Sequence, residues 1–254
     1  MILLYHHIAP SGHLPRDAER AQAEGWRFTH SPAAFEWQLR ELARRGHRFL
    51  SLPDLLTELG QPGGERPNSV AVTFDDGWID NFEFALPILK NLGVSATFFV
   101  TTAHLRLPRP DGSRMAAGQL RDLAAQGFTV GSHTRNHPDL TSLSVAQARE
   151  ELAGSKADLE QVLGAPIDLL AYPGGGFNAR VVELARETGY RAACSVLGPH
   201  RNDLTSLFWL YRDVLSPGLN TWGDRYRLSR RARQFLAFRV QRRLRARLAG
   251  NHLK

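Results

Sequence analysis

The chain has 254 residues, 43% of them hydrophobic and 22% charged, which suits one large α/β domain or two small ones and excludes a disordered or fibrous chain. Its one cysteine, Cys194, lies inside the apolar run Ala192-Ala193-Cys194-Ser195-Val196, so a disulfide framework within the chain is excluded and the thiol is expected to be a small buried hydrophobe. The formal net charge is +7, but residues 224–254 hold eleven Lys/Arg against one Asp while residues 1–223 hold 21 against 24, so the basic excess belongs to the tail alone.

In chain order, Ile2-Leu3-Leu4-Tyr5 predicts a first strand ending at His6-His7. The opening residues lack the basic leader and the long apolar run of an export signal. No stretch is long and apolar enough to span a membrane. A cytoplasmic location is therefore expected. Residues 9–30 are polar, with Gly and Pro, and read as a long surface loop. Ser31-Pro32 starts a helix, with Ser as N-cap and Pro at the first helical position, and Gly46 stops it. Phe49 to Leu52 reads as a short strand, Pro53 to Leu59 as a short helix, and Gly60 to Asn68 as a Gly/Pro-rich connection.

Val70-Ala71-Val72-Thr73-Phe74 follows, a short apolar run that reads as a buried strand, and it breaks abruptly into Asp75-Asp76-Gly77. The carboxyl ends of such strands are where α/β sheets and barrels carry their chemistry. One Asp there needs no explanation beyond capping a helix. Two adjacent, with Asp80 close behind, repel one another unless a cation sits among them. A helical pattern then runs from Gly77 to Leu92, to be kinked or restarted by Pro87.

Ala96-Thr97-Phe98-Phe99-Val100 is a strand, and a loop with Pro108, Pro110 and Gly112 leads to a helix over Ala117–Gln126. Phe128-Thr129-Val130 is the next strand, ending in Gly131-Ser132-His133. Ser144 caps a helix to about Leu163. Leu169 to Tyr172 is a strand ending in Pro173-Gly174-Gly175-Gly176, Asn178 caps a helix to Glu187, and Ala192–Val196 is a strand. Strands alternating with helices at this spacing predict βαβ units and a parallel sheet, closed or nearly closed.

His133 and His137 stand four apart, but Gly131 before them and Pro138 after them predict a loop at a strand end rather than a helix. The zincin pattern requires Glu directly after the first His, and here that residue is Thr134. Two His at one strand end and a carboxylate at another form a ligand set for a catalytic divalent ion with open positions for water.

Thr73-Phe74-Asp75-Asp76-Gly77 together with His133-Thr134-Arg135-Asn136-His137 resembles the polysaccharide deacetylase family, the NodB-homology carbohydrate esterases, over roughly residues 2–215. Asp80-Asn81 and Ala96-Thr97-Phe98-Phe99-Val100 add to the resemblance. It implies a distorted (β/α) barrel of about seven parallel strands and metal-assisted hydrolysis of an N-acetyl group on a sugar. It implies Asp76, His133 and His137 as metal ligands, with zinc the first candidate for the one divalent ion. It implies Asp75 as general base, a division of labour that leaves the base uncommitted to the cation. Thr134 is expected to fix the loop as a hydrogen-bond donor.

The family's late Leu-x-His motif, which supplies the general acid, has no match here, and His252 lacks a strand before it. Leu4-Tyr5-His6 has the pattern at the start of the chain instead. This layout is similar to the poly-N-acetylglucosamine deacetylase-like subgroup, in which the barrel begins with the histidine-bearing strand, and it implies His6 as the acid. His7 is then a neighbour. Tyr172-Pro173-Gly174 matches the family's Arg-x-Pro-Tyr-type motif only in part, because its arginine position falls near Ala171. Arg212 is the candidate to tune Asp75 in its place. The N–H of Gly174 or Tyr172 is the candidate oxyanion donor.

The tail carries ten arginines between Arg225 and Arg247, with Leu228, Ala232, Leu236, Val240, Leu244 and Leu248 recurring near every fourth residue. This predicts a basic C-terminal amphipathic helix, either packed on the barrel or lying on an anionic membrane surface. Nucleic acid is disfavoured, since no base-reading motif accompanies the charge. The expectation is a catalytic barrel over residues 1–223 and a basic tail over 224–254. Its function is that of a metal-dependent N-deacetylase of a polymeric, lipid-linked or nucleotide-linked N-acetylated sugar. The lack of an export signal leans toward a cytosol-facing, carrier-linked precursor. The rival is a carbohydrate- or membrane-binding protein of the same fold with weak or no turnover, for which the missing arginine motif is the main support.

Overall fold

The computed structural model describes residues 1–13, 28–61, 68–107, 112–198 and 202–215. The predicted helix of the basic tail and the boundary at residue 223 lie outside them.

The first strand, β1 (Ile2–Tyr5), is apolar and fully buried. It is followed at once by β2 (His7–Ile8), which pairs in parallel with β3 (Thr29–His30). The expected loop over residues 9–30 therefore ends in a strand, one too short for any alternation to reveal. Ser31 caps α1 (Pro32–Arg44) by accepting from the Ala34 N–H, as the Ser-Pro pair predicts. The next strand, β4 (Arg48–Phe49), is shorter than the expected Phe49–Leu52, because Ser51 is spent as the N-cap of α2 (Leu52–Leu59). The central β5 (Ser69–Phe74) is buried along its whole length. After it the helical pattern is split into a wide turn, Asn81–Ala85, and α3 (Leu86–Leu92), with Pro87 in the first turn of the second piece.

The later elements lie close to where the sequence puts them, except α4, which falls where a loop was expected. They are β6 (Ala96–Val100), α4 (Ala103–Arg106), α5 (Ala117–Ala125), β7 (Thr129–Ser132), α6 (Val145–Leu163), β8 (Leu169–Ala171), α7 (Ala179–Glu187) and β9 (Ala192–Ser195). Besides β2 and β3, two strands were not predicted, β10 (Leu210–Tyr211) and β11 (Asp213–Val214). They close the structure. The order is β10-β9-β8-β7-β6-β5-β1-β11, every neighbouring pair parallel, with β4 flanking the start of β5. One extended segment thus pairs with β9 through Leu210–Tyr211 and with β1 through Asp213–Val214, and Arg212 is the residue between. Counted as a single stave, it completes the expected distorted (β/α) barrel of seven.

Alternation along the strands divides the core in two. Leu3, Tyr5, Val70, Val72, Phe74, Phe98 and Val100 pack outward against the helices, including Phe35, Leu39 and Leu42 of α1. Residues of the opposite parity, Ile2, Ala71, Phe99, Leu169, Ala171, Cys194 and Leu210, form a second cluster with Leu52, Leu55 and Leu59 of α2. This inner set fills the barrel, and it leaves Thr73 and Asp75 to continue the inward row toward the carboxyl ends of the strands. Cys194 is buried as expected, and burial pushes its thiol up to about 12. No described helix is long and apolar enough to cross a membrane.

Candidate metal centre and active site

The site is built where β5 runs out. The Asp75 N–H still donates to the Tyr5 carbonyl at 3.1 Å, so Asp75 keeps the sheet register and His6 follows β1 beside it. At Asp76 the chain leaves the sheet with φ 76°, followed by Gly77 at φ 71°. A residue with a Cβ held in the left-handed region costs about 1–3 kcal/mol and persists only where its surroundings enforce it. Here they do. Arg114 Nη1 donates to the Asp76 carbonyl, and Trp78 Nε1 donates to Asp76 Oδ2 at 3.1 Å. The segment of Arg114 is tied on by the bonds from Met115 N–H to the Gly77 carbonyl and from Ile79 N–H to the Ser113 carbonyl, both 3.0 Å.

His133 follows β7 directly, and its N–H donates to the Val100 carbonyl. Its Nδ1 lies 2.8 Å from the Ala171 carbonyl, an acceptor, so the proton sits on Nδ1 and Nε2 keeps its lone pair. His137 adopts φ 61°, a second strained position, and its N–H donates to Thr134 Oγ1 at 3.1 Å. Thr134 Oγ1 therefore braces the loop as an acceptor, where a donor was expected from sequence.

The remainder of the loop is clamped by acids of α6. Glu151 accepts from the N–H groups of Arg135 and Asn136 and from Asn136 Nδ2, at 3.0, 2.8 and 2.6 Å. Arg135 also binds Asp158 and Glu150, lying in space that Gly154 leaves open; a Cβ there would meet the guanidinium at 2.3 Å.

Asp76, His133 and His137 each offer one ligand atom, all within 4.8 Å of one another. His133 Nε2 is 3.6 Å and His137 Nε2 3.5 Å from Asp76 Oδ1. Ligand atoms about 2.1 Å from a tetrahedral zinc lie about 3.4 Å apart. The donor set and its spacing fit a divalent cation of this kind. Protonation is also suitable. Burial pushes His133 down to about 4, which keeps it neutral at ordinary pH. Burial alone would raise the Asp76 carboxyl, but the imidazoles of His133 and His6, Arg114 and His137 outweigh it and hold it well below its usual range.

The three carboxylates that sequence reasoning left to repel one another occupy three separate environments. Asp75 forms a bidentate pair with Arg212, Nη1 to Oδ1 at 2.6 Å and Nη2 to Oδ2 at 2.7 Å, and both residues are buried. Burial works to raise the Asp75 carboxyl; Arg212, His133 and His6 prevail and lower it. Asp80 is paired instead with His7 at 2.5 Å, which accounts for His7 as a structural neighbour. Only Asp76 faces the histidine pair. Arg212, carried on the segment between β9 and β1, is thus the guanidinium that meets Asp75.

His6 is stacked on Phe28, and Asn81 Nδ2 donates to its carbonyl at 3.0 Å. Its Nδ1 is buried without a hydrogen-bond partner among the described residues. Burial lowers its pKa, while the charges of Asp75 and Asp76 pull the other way. In the 172–175 loop the two candidate oxyanion donors separate. The Tyr172 N–H is spent on the Cys194 carbonyl at 3.0 Å, and its hydroxyl on the Phe208 carbonyl at 2.9 Å, so Tyr172 is a structural residue. The sheet pairing of β8 with β9 runs one residue past the strand and takes that N–H. Gly174, exposed and at φ 60°, remains a candidate, and Pro173 is buried beneath it.

Trp78, Arg114, Glu151 and Asp158 were not singled out by the sequence reading. An indole two residues after Asp76 was the one available signal.

His133→Ala and His137→Ala should each abolish tight binding of Zn²⁺, read by competition with a chromophoric chelator. Binding as tight as wild type in either variant would remove these residues from the ligand set.

A sequence profile described as polysaccharide deacetylase matches residues 63–193. The chain is 26% identical over 219 residues to the Bacillus subtilis protein YxkH, covering 86% of this chain and 72% of that one. It is 28% identical over 131 residues to the peptidoglycan-N-acetylmuramic acid deacetylase PdaA of Bacillus subtilis, covering 51% of this chain and 47% of the relative. Among solved structures, the Streptococcus pyogenes deacetylase PplD in complex with acetate superposes with TM-score 0.74 at 26% identity, covering 90% of this chain and 96% of that one. IcaB from Ammonifex degensii has the same fold, with TM-score 0.72, 23% identity, and coverage of 92% and 96%.

Proposed function

The chain belongs to the polysaccharide deacetylase family, the NodB-homology carbohydrate esterases, and from that premise we propose that it removes N-acetyl groups from a sugar with one divalent cation held by Asp76, His133 and His137. The observation that carries this reading is the pair of 3.5 and 3.6 Å separations at Asp76 Oδ1, next to an aspartate that is committed to an arginine.

A divalent cation in that set, zinc in the first instance, supplies a Lewis acid that polarises an acyl oxygen and brings water toward a pKa of about 7. Asp75 takes the proton of the attacking water; Arg212 keeps it ionised and aimed. The Gly174 N–H donates to the oxygen that gains charge as the carbonyl becomes tetrahedral. His6 gives a proton to the sugar nitrogen as the C–N bond breaks. Water and the N-acetyl sugar become acetate and a free amine. The acetate named with the Streptococcus pyogenes neighbour is the product this reaction releases. The reading without turnover loses its main support, since Arg212 supplies the guanidinium that the motif near Ala171 lacks.

The test is acetate release from N-acetylated chito-oligosaccharides and from lipid- and nucleotide-linked N-acetylhexosamines, with Zn²⁺, Co²⁺ or Mn²⁺ added to chelator-stripped protein. No acetate from any of them would sink the proposal. For the acid, His6→Ala should lower kcat about 10²- to 10⁴-fold with metal affinity unchanged. Because the acid must be protonated to act and burial lowers the His6 pKa from its usual 6.5, the limb on which kcat/KM falls as pH rises through that lowered value belongs to His6 and should flatten in the variant. A variant that keeps the wild-type alkaline limb would exclude His6.

A further inference from the structure

Asp76 has two carboxylate oxygens, and they face different partners. Oδ1 is the atom near both histidines, while Oδ2 accepts from Trp78 Nε1 at 3.1 Å. We propose that Trp78 is a positioning residue for the cation: its indole N–H occupies Asp76 Oδ2 and reserves Oδ1 as the single ligating oxygen.

The donor is built to stay in place. Trp78 is 1% exposed, and a buried indole N–H needs an acceptor, which Asp76 Oδ2 supplies. The Arg114 guanidinium lies 3.3 Å over the indole ring while its Nη1 holds the Asp76 carbonyl. One side chain therefore fixes both ends of the Asp76–Trp78 unit. The His7 ring packs on the same indole with centroids 4.3 Å apart, and His7 is itself fixed by Asp80. Rotation of the carboxylate toward a bidentate mode would break the indole bond and meet this packing. The result is a cation held by one oxygen and two nitrogens, which is the ligand count that leaves a fourth tetrahedral position for water or substrate. Residues that orient a ligating carboxylate are worth about 10- to 100-fold in metal affinity.

This inference rests on the metal site proposed above, and the experiment separates the two. Zn²⁺ affinity is measured by chelator competition for wild type, Trp78→Phe and Trp37→Phe, the last changing an exposed indole of α1. Trp78→Phe keeps an aromatic ring for Arg114 and His7 and deletes only the donor. Its affinity should fall about 10- to 100-fold, its Co²⁺ absorption should change from that of the wild type, and Trp37→Phe should match the wild type. Equal affinity and an equal Co²⁺ spectrum in Trp78→Phe would overturn the proposal. A second measurement needs no variant. In ¹⁵N-indole spectra of the intact protein, the tryptophan signal most shifted by Co²⁺ should stay protected from solvent exchange when Zn²⁺ is added to saturation. Loss of that protection on Zn²⁺ binding would mean that Oδ2 had turned to the metal, and the proposal would fail. If the wild type bound neither ion, the metal-site reading would fail and take this inference with it.

Discussion

Asp75→Asn should lower kcat by about three orders of magnitude while the protein binds Zn²⁺ as tightly as the wild type. The amide has the size of the carboxylate but cannot accept a proton, so the attacking water loses its base. Asp75 stays 3.8 Å from His133 Nε2 and is held by Arg212 through both oxygens, so the guanidinium orients it rather than the cation, and each oxygen keeps a lone pair that can accept a proton. Asp76→Asn is the necessary comparison. It weakens the ligating oxygen itself and should lose metal and activity together. Zn²⁺ affinity from chelator competition and acetate release, measured on the same preparations, decide between the two behaviours. If Asp75→Asn lost the metal as completely as Asp76→Asn, the division between base and ligand would be wrong.

Arg212→Met should destabilise the fold by about 3–5 kcal/mol, since it strands the Asp75 carboxylate inside the barrel. That is a large part of the 5–15 kcal/mol typical of a domain. The double variant Asp75→Asn/Arg212→Met should recover much of the loss, because it buries no charge. The pH dependence gives a sharper test. In the wild type the Asp75 carboxyl is lowered from 3.8, so the pair's contribution is complete above that value and is lost as pH falls through the lower folded value. Without Arg212, burial raises the same carboxyl, and the sign reverses: stability falls as pH rises through 3.8 and above. Urea midpoints of the two proteins between about pH 3 and 7 should therefore converge on acidification. A constant gap would show that the guanidinium acts by packing alone.

The readable part of this site was the part written contiguously. Asp75-Asp76-Gly77 and the His133–His137 loop each sit in a few consecutive residues after a strand with clear β-branched or aromatic content, so type, register and strand end could all be inferred. Arg212 was legible only as a candidate. Its strands are two residues each, too short to show alternation, and what gives them meaning is their pairing with β9 and β1. The Tyr172 N–H was misjudged for a related reason: whether a backbone group is free depends on a partner strand, and a single sequence does not display partners. Trp78 and Arg114 are 36 positions apart, joined by a packing contact that no local pattern encodes.

The way the barrel closes also governs how the protein must assemble. Leu3 pairs with Asp213, a contact spanning almost the whole described chain, and Asp75 with Arg212, 137 positions on. Loop closure over such separations is slow, and contacts of this order dominate the folding time of parallel sheets. Until residues 210–214 dock, β1 and β9 are open edges, each presenting unpaired backbone groups to other chains. Asp75 meanwhile lacks its guanidinium partner. The strand segment that seals the two edges is the one that delivers Arg212, so a partly folded chain has neither the seam nor the base. A chain that has acquired its activity has therefore also lost the edges through which it would aggregate.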